Sequence, residues 1–317
     1  MGRRNRRGTA GPSGWLIIDK PEGPTSHDVV RHLRRCLGTP RVGHAGTLDP
    51  LATGVLPVAV GEATKTVAHI VNGEKTYRFM VAWGTARDTD DAEGRIVAES
   101  AGRPGAAAIR AALPGFIGEI EQVPPSYSAI KIDGKRAYAL ARAGKEPEMR
   151  PRIVTVHDFR LEAIEGPDRA VFTARTGKGV YIRSLARDLA RHLGKVGHVA
   201  RLRRLRDGPF SVDQAVKLAE ISLESGNALG HSAAALEHLL PVETALDDIP
   251  ALAMTEAEAR LIKNGQPVPL LKKSDLERIG AIGPGDMVRA KQGERLIALA
   301  RFDKGQLRSV RGFNLSE

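Results

Sequence analysis

The stretch GHAGTLDPLATGVLPVAVG runs from Gly43 to Gly61 and holds one ionised group, Asp49. The chain around it is 27% charged. A run this apolar belongs inside a core. Its second half, Gly54–Val60, reads as a buried strand. A lone carboxylate beside apolar residues is costly to bury unless something pairs with it. Two readings of Asp49 stand open. Leu-Asp-Pro-Leu is ordinary turn chemistry, with Pro favouring an extended or turn conformation before it. The alternative is a reactive carboxylate on a loop shaped by glycine.

The flanking sequence alternates strand and helix signals without a regular βαβ repeat. Trp15–Asp19 reads as a strand. Thr25 or Ser26 caps a helix through Leu37, with Val29, Val30, Leu33 and Leu37 apolar and Gly38 ending it. Glu62–Val71 reads as one helix closed near Gly73, and Lys75–Trp83 as a strand. Ala106–Leu113 is helical. Asp133-Gly134 marks a turn before a basic helix, Arg136–Ala143. Arg152–Ala163 and Arg169–Thr176 read as paired strands, and Ile182–Leu193 as a helix. Helical stretches follow Ser211. Leu240–Pro250 reads as a linker, and Ala251–Glu317 as a small β-rich module. The expected class is α+β.

With 317 residues and 42% hydrophobic content, the chain can bury a sizeable core, and two domains are expected. No uncharged apolar run approaches the ~18 residues of a membrane helix. Cys36 is the only cysteine, which excludes intramolecular disulfides and cysteine-based zinc sites. The first fourteen residues, MGRRNRRGTAGPSG, read as a flexible basic arm without the apolar segment of a signal peptide. A cytoplasmic protein is expected. The 48 Lys and Arg against 37 acids give a net charge of +11, which favours a polyanionic partner.

The basic residues cluster. Arg183, Arg187 and Arg191 recur at helical spacing opposite Leu185, Leu189 and Leu193. Arg201, Arg203, Arg204 and Arg206 follow shortly. Like charges at i, i+4 cost a few tenths of a kcal/mol per pair, so the cluster reads as a phosphate-binding surface rather than a solvated stripe. DTDDAEG, Asp88–Gly94, fails the calcium-loop spacing and reads as an acidic turn between strands. There is no Walker A loop, no G-x-S-x-G, no H-E-x-x-H, and no metal-ligand pattern among the histidines. Tyr77 and Tyr181 read either as core aromatics or, in a basic protein, as platforms for a base.

Four blocks then stand in order: DKPEGPTS (Asp19–Ser26), GHAGTLDPLATGVLPVAVGEATK (Gly43–Lys65), KTYRFMVAWGTARDTDDAEG (Lys75–Gly94) and GVYIRSLARDL (Gly179–Leu189). Together they resemble the bacterial tRNA pseudouridine synthase B (TruB) family, which isomerises uridine 55 in the T loop. The resemblance spans roughly Trp15 to Phe210. It implies a pseudouridine synthase domain, residues 15–245, built on a mixed sheet with flanking helices. Asp49 falls at the family's catalytic aspartate and Arg183 at the arginine that pairs with it. Tyr77 falls at the tyrosine that stacks on the target base. His44 falls at the histidine that helps hold the flipped-out region of the T loop. Tyr181 and Leu202 fall at substrate-contacting positions, and Lys20 and Lys65 at basic positions. Residues 124–152 are expected to supply an RNA-gripping loop. Residues 251–317 are similar to a PUA domain, a small RNA-binding β barrel, and a chain ending near Pro250 is expected to keep its chemistry.

Pseudouridine formation breaks the N1–C1′ bond and joins C5 to C1′. It gains no electrons and consumes no water, so no cofactor and no metal are expected. A stacked base must first be flipped out. Attack by Asp49 at C1′, its addition at C6, and abstraction of a ribose proton are all compatible with one carboxylate. A glycoside hydrolase would need two carboxylates flanking the bond. The expected partner is the T arm of tRNA, met by a monomer without guide RNA. The alternatives are a non-catalytic RNA-binding protein on the same fold and a guide-RNA-dependent synthase.

Overall fold

A computed structural model describes residues 11–128, 130–132, 134–145, 147–222, 232–270, 273–280 and 282–315. The apolar run becomes the strand Val42–His44, a loop through Asp49, and the strand Thr53–Val60. Thr53–Val60 pairs antiparallel with Gly14–Lys20 and parallel with Gly197–Asp207. A strand with a neighbour on each side and both faces covered needs no polar alternation, which VLPVAV satisfies. The sheet continues through Lys75–Trp83, Arg169–Thr176, Arg152–Ile164 and Gly118–Gln122, each pair antiparallel. At the other edge Val216–Lys217 joins Gly14–Lys20 in parallel. Val42–His44 and Phe210–Ser211 pair at its margins, giving ten strands of both senses. This is the mixed sheet of the expected α+β class.

Both faces are packed. Leu16, Ile18, Leu56 and Val58 point into one core, where Leu33 and Leu189 meet the stacked rings of Phe79, Phe159 and Phe172. The two longest helices lie on that face. Ser26–Cys36 starts at Thr25, whose side chain and Asp28 close a capping box. Ile182–His192 buries Ile182, Leu185 and Leu189. The alternate residues Trp15, Ile17, Val55 and Ala59 point the other way. Their core also holds Val242, Ala245 and Leu246, and Leu296, Leu299 and Phe313 from the far end of the chain.

The C-terminal module is a five-stranded sheet, ordered Ala251–Ala253, Met287–Gln292, Arg295–Asp303, Gln306–Gly312, Val268–Pro269, with the helix Glu256–Lys263 packed on it. Its β-rich character follows the sequence reading. Its independence does not, because it shares the second core with the large sheet. Leu240–Pro250 is likewise no free linker. Leu240 exchanges both backbone hydrogen bonds with Trp15, and Val242–Leu246 forms a buried 3-10 turn.

The single helix expected over Glu62–Val71 is two pieces. Gly61–Lys65 is a 3-10 turn and Val67–Asn72 an α-helix. Residues at i and i+3 eclipse in a 3-10 turn. That sets Lys65 Nζ 2.6 Å from the buried Glu62 carboxylate. Of the basic arm, residues 1–10 lie outside the described residues, and Gly14 already opens a strand. Residue 133 of the expected turn also lies outside them, but Lys131–Ile132 and Lys135–Arg136 pair antiparallel around Gly134. Between Ser211 and Leu240 the described helical pieces are short: Val212–Gln214, Leu218–Glu220 and Ala233–Glu237. Residues 223–231 lie outside the described ones.

Candidate active site

Asp49 sits on the loop between Val42–His44 and Thr53–Val60, and three buried side chains tie this loop down. Lys20 Nζ donates to the carbonyls of Pro50 (3.0 Å) and Ala52 (2.7 Å). Ser26 Oγ donates to the Leu48 carbonyl and accepts from the Leu48 N–H. Arg204 donates to the carbonyls of Gly46 (3.1 Å) and Val55 (2.7 Å). The glycines have definite work. Gly54 has φ +96°, and a Cβ there would stand 2.2 Å from the Arg204 carbonyl oxygen.

The Asp49 carboxylate points out of this frame onto Arg183. Arg183 Nε lies 2.9 Å from Asp49 Oδ2 and 3.5 Å from Asp91 Oδ2. Its other nitrogens donate to the carbonyls of Thr89 (2.8 Å) and Tyr127 (2.9 Å). The guanidinium is buried: its two terminal nitrogens are hydrogen-bonded, and Nε faces the two carboxylates as an ion pair without a hydrogen bond. Asp91 is buried too, and burial pushes its carboxyl up from the ordinary range despite a hydrogen bond from Thr89.

Arg183 therefore does not belong to a phosphate stripe, and neither do three of its companions. Arg187 pairs with Asp90 and Asp188 and donates to the Val123 carbonyl. Arg203 pairs with Asp19. Arg204 pairs with Asp207, both almost fully buried. A buried guanidinium needs a counter-ion; the Asp49 loop and the Asp88–Gly94 turn supply those of Arg183 and Arg187, and Asp207 at the end of its own strand supplies that of Arg204. Arg191, Arg201 and Arg206 remain at the surface. The Asp88–Gly94 segment is the acidic turn that the sequence implies, between Thr85–Arg87 and Ile96–Glu99. Its docking under Arg183 and Arg187 is what sequence reasoning missed. The signal was present: two acids beyond one strand and two arginines one helical turn apart.

The other expected site residues divide. Tyr77 lies across the sheet from Arg204, and burial pushes its hydroxyl up from the ordinary tyrosine range. Tyr181 precedes the Arg183 helix, with its N–H bonded to Gln122 and its hydroxyl facing Ser128, and burial raises it as well. Leu202 is buried opposite Phe79. His44 ends its strand with Nδ1 buried and unpartnered among the described residues. Burial, then the nearby Arg204, lower its pKa. Lys20, despite the attraction of Asp49, is pushed down to about 8 by burial. Lys65 stands apart from this group. It bonds Glu62 and the Gly312 carbonyl at the seam with the C-terminal sheet. The segment after Gln122 is stitched to the site by Arg183, Ser184 and Arg187 through the carbonyls of Tyr127 and Val123. Among the described residues no three His, Cys, Asp or Glu side chains gather as a metal would require.

One open carboxylate on a buried guanidinium, within electrostatic reach of the hydroxyls of Tyr77 and Tyr181, forms the centre of this site. Comparison with known proteins gives the family. A model of the TruB family pseudouridylate synthase N-terminal domain matches residues 34–182, and one of the tRNA pseudouridylate synthase B C-terminal domain matches residues 183–247. The chain is 52% identical to tRNA pseudouridine synthase B of Rhodospirillum rubrum over 98% of its own length and 99% of that protein. It is 52% identical to the protein of that name from Gluconacetobacter diazotrophicus, over 94% and 96% of the two chains. Among solved structures it is similar to a chain of a Cbf5-Nop10-Gar1 complex, with TM-score 0.69 and 26% identity over 95% of this chain and 84% of that one. The chain belongs to the TruB family of tRNA pseudouridine synthases and is an isomerase. No described helix is long and apolar enough to cross a membrane.

Proposed function

We propose that this enzyme converts uridine 55 in the T loop of tRNA to pseudouridine, with Asp49 as the catalytic carboxylate. The observation that carries this reading is the pairing of Asp49, one third exposed, with the buried Arg183 at 2.9 Å. The loop under Asp49 is rigid, so its carboxylate needs little reorganisation to meet a base delivered from outside. The target uridine is flipped out of the T loop, the ring of Tyr77 takes over the stacking it loses, and His44 props the opened loop. Tyr181 and Leu202 bound the pocket that keeps the cleaved uracil. Asp49 acts at C1′, at C6 or on a ribose proton. Each route breaks N1–C1′ and forms C5–C1′ with no external oxidant, reductant or cofactor. Lys20 holds the loop carbonyls beside Asp49, and Lys65 serves the domain seam.

The organisation is a synthase domain over residues 15–245 and a PUA-like domain over 251–317, preceded by a basic arm. The R. rubrum relative carries tRNA in its name, and the basic balance of this chain suits the same partner. We infer a monomer acting in the cytoplasm without guide RNA. Incubating chelator-treated protein with unmodified tRNA transcript, then mapping carbodiimide adducts, tests the whole reading. One pseudouridine at position 55 is expected. No product, or product only with an added guide RNA, overturns it.

A further inference from the structure

The Gly197–Asp207 strand lies between the strand that leaves the Asp49 loop and the strand that carries Tyr77. Arg204 is one of the residues that pair with both. In register it faces Gly54 on one side and Tyr77 on the other. Its guanidinium reaches back to the Asp49 loop and holds it twice, at the Gly46 carbonyl before Asp49 and the Val55 carbonyl after it. The Tyr77 hydroxyl faces the same guanidinium. Its backbone fills the space that a side chain at Gly54 would need.

A cation this buried needs an anchor. Asp207, with no exposed surface, lies 3.3 Å from Arg204 and 3.3 Å from Lys75. Lys75 in turn donates to the carbonyls of Ile70, Val71 and Gly73 at the end of the Val67–Asn72 helix. Gly46 has φ +87°, and a Cβ there would press on both Arg204 and Asp207. Nothing in the reaction uses these three ionic groups directly. They are costly to bury, and a well-packed apolar set would serve stability as well. Their geometry favours a different role.

We propose that Arg204, held by Asp207, is a positioning residue that sets the Asp49 carboxylate and the Tyr77 ring in a common frame. This rests on the reading of Asp49 as the catalytic group. One planar fork reaches two carbonyls and a counter-ion at once, which a lysine ammonium cannot do in the same geometry. Loosening the clamp lets the loop drift relative to Tyr77. Misplacement of about 1 Å costs about a hundredfold in rate. Substrate affinity comes from the wider RNA-facing surface and changes little.

The test uses the full chain and tRNA transcript. Asp207→Asn keeps shape and removes the anchor. Arg204→Met with Asp207→Asn removes both buried charges and avoids an unpaired one. Arg204→Lys keeps the charge pair and loses the fork, and it decides the matter if the other two do not fold. For every variant that melts within a few degrees of wild type, the single-turnover rate is expected to fall by about tenfold or more, while tRNA affinity holds within about threefold. A folded variant with a rate within about threefold of wild type overturns the proposal. So does a loss of rate matched by an equal loss of affinity. Asp49→Asn is run alongside. If it is active, the reading of Asp49 has failed. If it is inactive while the clamp variants turn over normally, the clamp alone has failed.

Discussion

Arg183 and Asp49 meet at 2.9 Å with opposite exposure: the guanidinium is 4% open and the carboxylate 34%. The arginine is thus scaffold and the aspartate is the face presented. Asp91, the two carbonyls and Asp49 together surround one side chain.

Replacing Asp49 by Asn keeps the shape of the loop and removes the charge. Arg183 keeps Asp91 as counter-ion, so the fold should survive. Turnover should vanish while tRNA binding stays near wild type. Filter binding and single-turnover assays check this, and turnover within about tenfold of wild type sinks the assignment of Asp49.

Arg183→Lys should be far from conservative. A single ammonium cannot span Asp49, Asp91 and two carbonyls. The rate should fall by about a hundredfold, more than the affinity does. If single-turnover rates are unchanged and only affinity falls, Arg183 acts as a phosphate contact after all.

Lys20 predicts a pH signature. Burial lowers its folded pKa to about 8, below its value of about 10.4 in an unfolded chain. Between those values the unfolded chain binds more protons than the folded one, so stability from this group rises with pH. It is least below pH 8 and complete above about 10.4. Denaturant melts of wild type and Lys20→Met across pH 7 to 10.5 should show that rise in wild type and its loss in the variant. Parallel pH profiles contradict the assignment.

Gly54→Ala should be among the most damaging small changes. The residue has φ +96°, and the new methyl meets the Arg204 carbonyl oxygen at 2.2 Å. Backbone against backbone cannot give way, so a loss of about 3 kcal/mol or more is expected from denaturant unfolding. A loss below about 1 kcal/mol contradicts this contact.

Removing residues 251–317 should harm even the reaction on an isolated T-arm stem-loop. The truncation strips Leu296, Leu299 and Phe313 from a core that contains Trp15, Ile17 and Val55. The single change Phe313→Ala should already cost about 3–5 kcal/mol. Full-tRNA affinity should also lose part of its salt dependence, since each lost phosphate contact takes about 0.9 from the slope. A truncated chain with wild-type melting and stem-loop rates would restore the picture of a separable module.

Much of the sheet was legible because its strands carry local signals. Trp15–Asp19, Gly54–Val60, Lys75–Trp83 and Arg169–Thr176 each show a short apolar or alternating run, and each is a strand. The charged partners were not legible in the same way. Arg183, Arg187, Arg203 and Arg204 look alike along the chain, and nothing local tells that Arg183, Arg187 and Arg203 turn to the distant Asp49, Asp90 and Asp19, or that Arg204 is buried with Asp207 three residues on. Four quoted motif blocks led to Asp49 and Arg183, whereas pattern reasoning alone left Asp49 as either a turn or a site. Val242–Leu246 was misread because proline and aspartate dominate its surroundings, while the few apolar side chains that dock it are spaced for a 3-10 turn.

The seam between the two sheets has a geometric consequence. Phe313 is buried in the common core, Asn314 donates its N–H to Glu62, and Gly312 accepts from Lys65. A joint filled with side chains offers no hinge. The packed seam therefore favours one placement of the C-terminal sheet relative to Asp49. An RNA that touches both ends is expected to match that placement, and the bending needed to do so falls on the RNA.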